Sequence, residues 1–500
     1  MPTLPAHTYE DAIAHLSSLV PELFTAPAAA GKKPARRKFS LDQIAILTAA
    51  LGMPQAKFPS VLIAGTNGKG STASTLAAIA TAAGLRTGLY TSPHLERVNE
   101  RIKLSVPQGM EASDAPGCLA DISDEAFARH YFHVISTAQR LVDEVQLPGL
   151  PSYFELLTAI AFCCFAEPEP GAASVDIAIL EVGMGGRLDA TNIVHPTISV
   201  ITDIALDHQE WLGSTITEIA REKAGILRPN GILVTLPQHP EANQALGEVA
   251  TELGVRGVNA ALYTPPIRTS PLEPYRLTVL GQTIPINSPL HGAHQHRNLA
   301  LAIAAAVELA ENHNFPITAA AIEQGIHATQ WPARLETLHL PGYPEILLDV
   351  AHNPAGAWAL RAALSASEDQ RFTPPNSAEV DSPHAPHPAS EMWEGKQCLI
   401  FSCLRDKPLA EMAQILFPIF DHLILAPIHS PRATPVAELA VAAESTGIPH
   451  TEAESIAEAI QIARSRNPRR IVISGSLYLV GEARALLLHP NEIPARQFAS

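Results

Sequence analysis

The sequence predicts an α/β protein: a parallel sheet carrying a phosphate loop (P-loop) in the N-terminal part, then a smaller Rossmann-like α/β unit. Three observations carry this. VLIAGTNGKGS at Val61–Ser71 places four apolar residues, a glycine-rich turn and a helical pattern in succession. Apolar strand-like runs alternate with helical patterns in two series, the mark of βαβ units with right-handed crossovers. Polar side chains stand at the ends of those runs, where open parallel sheets bind ligands.

Val61–Ala64 reads as a buried strand, followed by Gly65, Thr66, Asn67, Gly68, Lys69, Gly70 and Ser71 as the loop. Glycines let backbone N–H groups turn onto phosphate oxygens, Lys69 reaches the β/γ-phosphates and Ser71 holds Mg²⁺. A strict G-x-x-x-x-G-K-[ST] motif would need glycine at Ile63, and Gly70 follows the lysine. An Ala- and Leu-rich helix runs from Ser71 to about Gly84, and TGLYTS (87–92) is the next strand. Residues 105–123 read as loop. FELLTAIAFCCF is a helix that buries Cys163 and Cys164; VDIAILE (175–181), TISVITDI (197–204) and GILVTL (231–236) are strands. STITEIAREKAGIL and an alanine-rich stretch at about 297–311 are helices. A boundary at Gln330-Trp331-Pro332 divides the chain into units 1–332 and 333–500. The second series has strands EILLDV (345–350), CLIFS (398–402), HLILAP (422–427) and RIVISG (470–475). Residues 365–396 are polar and proline-rich and read as a flexible insertion in it.

With 46% hydrophobic and 17% charged residues, the composition is globular. A net charge of −16 without a basic stripe argues against general nucleic-acid binding. No apolar run approaches the ~18–20 residues of a membrane span. Five cysteines lack any framework spacing, which fits a reducing cytoplasm. A cytoplasmic monomer is expected, without membrane or nucleic-acid partners.

Four strand ends carry ligand-type residues: the phosphate loop, Ser92 in TSPHL, Glu181 before VGMGGRLDATN, and Asp207-His208. They should meet at one edge. Ser92, before Pro93, also suits a turn, and Asp207-His208 also suit a helix cap and a packed histidine. On its residues alone, Lys223 reads as an exposed lysine paired with Glu218 or Glu222. His291, His294 and His296 have no companion ligands and do not read as a metal site. Arg97, Arg101 and Lys103 are either strand-edge charges or the hold on a polyanionic substrate. In the second unit, Arg334 lies at the boundary, Asp349 and His352 end a strand in DVAHNP, and Ser474 and Ser476 end the last one.

Together, AGTNGKGS, TSPHLERVNERI, EVGMGGRLDATN, LDH (206–208), REKAGI, HQHRN, PARLE, DVAHNP and SGSLYLVGE resemble the folylpolyglutamate synthase/dihydrofolate synthase family of Mur-ligase-like amide ligases, over residues from about 40 to 485. The resemblance implies that Gly68, Lys69, Gly70 and Ser71 cradle ATP phosphates, that Ser92, Glu181 and His208 contact Mg²⁺, and that Lys223 is carbamylated. It implies ATP contacts for Asn298, Arg334 and Asp349, and L-glutamate near His352 and Ser474–Ser476. SCLRDKP departs from the family pattern at Leu404-Arg405-Asp406, so no role is carried there. The implied reaction is ATP- and Mg²⁺-dependent addition of L-glutamate to dihydropteroate, a reduced folate, or both, through an acyl phosphate. Two rivals remain: a Mur-type UDP-sugar peptide ligase, for which no separate UDP-binding unit precedes the loop, and a nucleotide switch, which needs no second strand-end site.

Overall fold

The computed structural model describes residues 8–19, 40–106, 118–265, 274–369 and 396–489. Its larger sheet comprises β1 (Ser60–Ala64), β2 (Thr87–Tyr90), β3 (Ile102–Ser105), β4 (Leu119–Asp121), β5 (Ile177–Glu181), β6 (Ile198–Ile201), β7 (Ile232–Thr235) and β8 (Arg256–Asn259), in the order β4-β3-β2-β5-β1-β6-β7-β8. From β2 to β8 neighbours are parallel; β3 and β4 add an antiparallel edge. A hairpin, β9 (Tyr275–Val279) and β10 (Gln282–Ile286), stands apart.

Strand β1 is apolar after Ser60 because both its faces are covered. Leu62 and Ala64 join a core with the helices Asp124–Asp143, Tyr153–Ala166 and Ile216–Ala224. Val61 and Ile63 face the opposite way, into Lys69–Ala82, Ala293–Asn312 and Ala319–Ala328. This is the period-two alternation of a strand buried on both sides.

The smaller sheet comprises β11 (Glu336–Leu338), β12 (Glu345–Leu348), β13 (Gln397–Phe401), β14 (His422–Leu425), β15 (His450–Glu452) and β16 (Arg470–Ser474), ordered β11-β12-β16-β13-β14-β15. Only β11 runs antiparallel to its neighbour. One face packs on helices Ile456–Arg466 and Leu477–Leu488, the other on Leu409–Leu416 and Val436–Thr446.

All nine strands read from the sequence are present, and three boundaries are corrected. The helix after the phosphate loop begins at Lys69, not Ser71, because Gly68 supplies a left-handed N-cap (φ 87°). Leu119–Asp121, inside the stretch read as loop, pairs antiparallel with β3, and the Asp121 carboxylate takes the Lys103 ammonium of that strand. The helix after DVAHNP continues to Asp369, so the first residues of the stretch read as an insertion are helical; residues 370–395 lie outside the described ones. Cys163 and Cys164 are buried, as the sequence predicts. No described helix is long and apolar enough to cross a membrane.

Candidate active site

Strands β2, β5, β1 and β6 are consecutive in the larger sheet. Their carboxyl ends therefore deliver Ser92, Glu181, the phosphate loop and the Asp203–His208 segment side by side. All four line one cavity of about 930 Å³, whose opposite wall is formed by Asp349, His352, Asn353, Lys407, Arg432 and Ser476 from the C-terminal part. Two sets of strand ends thus face each other across a cleft.

The loop is shaped by close approach. A side chain at Gly65 (φ 150°) would collide with Thr202 Oγ1, and one at Gly68 with Asn298 Oδ1. The Thr66 and Asn67 amides donate to Asp203 O (2.8 and 3.2 Å), which anchors the loop to the end of β6. Helix Lys69–Ala82 has no side-chain cap, so its first amides are left for an anion. Lys69 Nζ folds back onto Gly65 O and Thr66 O at 3.2 and 3.1 Å.

Glu181 is buried and accepts one hydrogen bond, from Ser92 N at 3.1 Å. Burial raises its pKa, and the Lys69 ammonium opposes the rise. The Ser71 and Ser92 hydroxyls line the same cavity. No three His, Cys, Asp or Glu residues form a metal-binding group among the described residues. One carboxylate with hydroxyls and a substrate's phosphates does suit Mg²⁺, which prefers hard oxygen donors and retains water.

Lys223 is the clearest correction to the residue-level reading. It is buried rather than exposed, and its Nζ donates to Gly65 O at 2.7 Å. Burial, aided by the Lys69 charge, pushes its pKa down to about 7. Amphipathic spacing placed it on a helix but could not say which face met the loop.

Asp207 is where the two walls touch. Lys407 Nζ donates to its Oδ1 at 2.8 Å and Asn353 Nδ2 to its Oδ2 at 3.2 Å; His352 Nε2 lies 4.0 Å from Oδ2. Asn353 Nδ2 also reaches Asn67 Oδ1 in the phosphate loop at 3.0 Å. Burial opposes the Asp207 charge, but His208 and Lys407 favour it and hold its pKa well below the usual range. At neutral pH the lysine is the cation that counts, since burial itself lowers His208 to about 4. Neither Asn353 nor Lys407 was singled out from the sequence. Lys407 follows the strand CLIFS, so the strand-end rule applied to the second sheet would have found it.

Of the other predicted residues, Asn298 is buried beside the loop, its Nδ2 donating to Gln295 Oε1 at 2.8 Å. Arg334 lies between the Asp349 and Glu181 charges, with burial lowering its pKa. Asp349 accepts from the Leu335 and Ala351 amides at 3.0 and 2.9 Å, and burial raises its pKa. Arg101 donates to His94 Nδ1 (2.9 Å), lies over the Tyr153 ring and reaches the cavity. Arg97 does not join it: its guanidinium pairs with Asp124 at 2.6 Å and lies over Tyr9, and the residue borders a second cavity of about 730 Å³. Ser474 is sealed within the sheet, whereas Ser476 accepts from Tyr478 N (3.2 Å) at a helix N-terminus on the cavity wall. The three histidines are dispersed: His291 borders the second cavity, His294 the first, and His296 packs edge-on against Tyr275.

A model of the Mur ligase middle domain matches residues 129–306. The folylpolyglutamate synthase of Lacticaseibacillus casei is 33% identical over 458 residues, covering 89% of this chain and 94% of that protein. The chain belongs to the folylpolyglutamate synthase/dihydrofolate synthase family. Another member, the dihydrofolate synthase/folylpolyglutamate synthase of Mycobacterium tuberculosis, is 33% identical over 482 residues, spanning 89% of this chain and 90% of its own. Among solved folylpolyglutamate synthases, the M. tuberculosis enzyme complexed with ADP and AMPPCP superposes with a TM-score of 0.75 at 33% identity, over 90% of this chain and 96% of that one. A family complex with AMPPCP and folate superposes at 0.71 with 30% identity, over 96% and 100% of the two chains.

Proposed function

We propose that this chain uses ATP to join L-glutamate to the carboxylate of a folate-type acceptor, and that it accepts both dihydropteroate and a reduced folate. The observation that carries the reading is the convergence of two strand-end sets on one cavity, one built for a polyphosphate and the other bearing Lys407, Asn353 and His352. A nucleotide switch has no use for the second set. A UDP-sugar peptide ligase is disfavoured because full-length similarity runs to folate ligases.

In this reading residues 1–332 form the ATP unit and 333–500 the glutamate-ligase unit. The Lys69–Ser71 helix terminus takes the phosphates, with Asn298, Arg334 and Asp349 around the rest of the nucleotide. Lys69 leaves its carbonyl contacts for the β/γ-phosphates as the γ-phosphoryl group passes to the acceptor carboxylate. Mg²⁺, held through Glu181, Ser92 and the His208 segment, would supply charge neutralisation at the phosphates. The acyl phosphate is then attacked by the amino group of L-glutamate, and phosphate leaves. The protein's share is positioning and electrostatic stabilisation. Arg101 and Ser476 face the substrates, and His352 borders the amino-acid end. Arg97 serves instead to tie the TSPHL loop to the Asp124 helix.

Lys223 at about 7 carries a substantial neutral fraction at physiological pH. A neutral amine adds CO₂, forming a carbamate and releasing a proton, which replaces a cation beside the loop with an anionic oxygen donor. Incubation with ATP, L-glutamate and either dihydropteroate or tetrahydrofolate tests the reading. The expected result is a new γ-glutamyl amide on each acceptor; product on only one would narrow the activity, and product on neither would refute it.

A further inference from the structure

The side-chain hydrogen bonds to Asp207 run in one direction across the cleft. The acceptor belongs to the N-terminal part; apart from the adjacent His208 amide, which donates to Oδ1 at 2.8 Å, its partners Lys407, Asn353 and His352 belong to the C-terminal part. Those three sit after the carboxyl ends of β13 and β12. The Lys407 side chain is only 5% exposed, and Asp207 is its one acceptor among the described residues. The contact therefore has the form of a receptor and its ligand: an ammonium on one carboxylate oxygen, an amide on the other, an imidazole alongside.

The geometry points to Asp207 as an internal stand-in for a carboxylate of the incoming amino acid. This inference rests on the proposed ligase activity and goes beyond it by assigning Asp207 as a positioning residue. Before the amino acid binds, Asp207 occupies the C-terminal cation site and keeps Lys407 paired, because a buried lysine without a counter-charge is unfavourable. The amino acid brings the same functional group. Two carboxylates cannot share one ammonium at hydrogen-bond distance without like-charge repulsion, so binding displaces Asp207. Asn353 links the exchange to the nucleotide site, since the same amide nitrogen holds Asn67 of the phosphate loop. Release of Asp207 leaves Asn353 with Asn67 as its acceptor in the loop as the amino acid arrives.

Steady-state kinetics of the full chain test this. Asp207→Asn removes the competing charge, and the KM for L-glutamate is expected to fall at least threefold while the KM for ATP changes less than twofold. A simple structural defect would raise both constants or lower only kcat. In a Lys407→Gln background, Asp207→Asn should leave the KM for glutamate unchanged, because the site of competition is gone. An unchanged or raised glutamate KM in Asp207→Asn, or the same fall persisting without Lys407, would overturn the inference. If the asparagine variant does not fold, Asp207→Ser is measured in its place with the same expectations. Failure of the wild-type chain to consume any amino acid would instead count against the ligase reading, so the two failures are distinguishable.

Discussion

At the scale of single residues, the site is governed by what burial does to charge. Glu181 and Lys223 are both removed from water, and burial shifts each toward its neutral form. Glu181→Gln keeps the shape and removes the charge. It is expected to raise the Mg²⁺ concentration for half-maximal activity at least tenfold, or about 1.4 kcal/mol; a metal titration matching wild type would make the residue purely structural. Lys223 yields a pH prediction. Its lowered pKa means the amine is neutral above about 7 and protonated below, and only the neutral form adds CO₂. Enzyme depleted of CO₂ should therefore regain activity with bicarbonate at pH 8 and little at pH 6. Lys223→Ala should be inactive and partly restored by short carboxylic acids. A bicarbonate response independent of pH across this range would remove the argument from burial.

At the scale of elements, apolar strands flanked by ligand-bearing ends were legible because both faces of β1, β5, β6, β13, β14 and β16 are covered and leave continuous apolar runs. The edge strands were not. β4 (LAD), β8 (RGVN) and β15 (HTE) have no apolar run, since backbone pairing to one neighbour holds them. Site residues divide the same way. Ser92, Glu181 and His208 stand where strand ends place them, but the burial of Lys223 and the pairing of Arg97 with Asp124 depend on contacts between elements far apart in sequence. The phosphate loop offers a test at this scale. Gly65→Ala adds a methyl group against Thr202 Oγ1. It is expected to cost about 1–3 kcal/mol by overpacking, read as a lower urea midpoint, and to weaken ATP binding. A variant with unaltered stability and nucleotide affinity would contradict the close approach.

At the scale of the whole molecule, the carboxyl ends of the two sheets face one cavity, and the two parts are joined at Asp207 and again where Arg484 of the C-terminal part pairs with Glu96 at 2.5 Å. The second sheet was legible from the restart of the βαβ pattern. The contact across the cleft was not, because Lys407 and Asp207 lie 200 residues apart. Such an arrangement makes ATP cleavage conditional: the phosphoryl group needs an acceptor carboxylate, and the acyl phosphate needs an amine. The most direct measurement is phosphate release with each substrate omitted in turn. The account predicts one phosphate per amide bond formed when ATP, L-glutamate and a pteroate or folate acceptor are all present, and no sustained release when either the amino acid or the acceptor is missing. Steady phosphate release with ATP alone, at a rate unaffected by the other two, would contradict it.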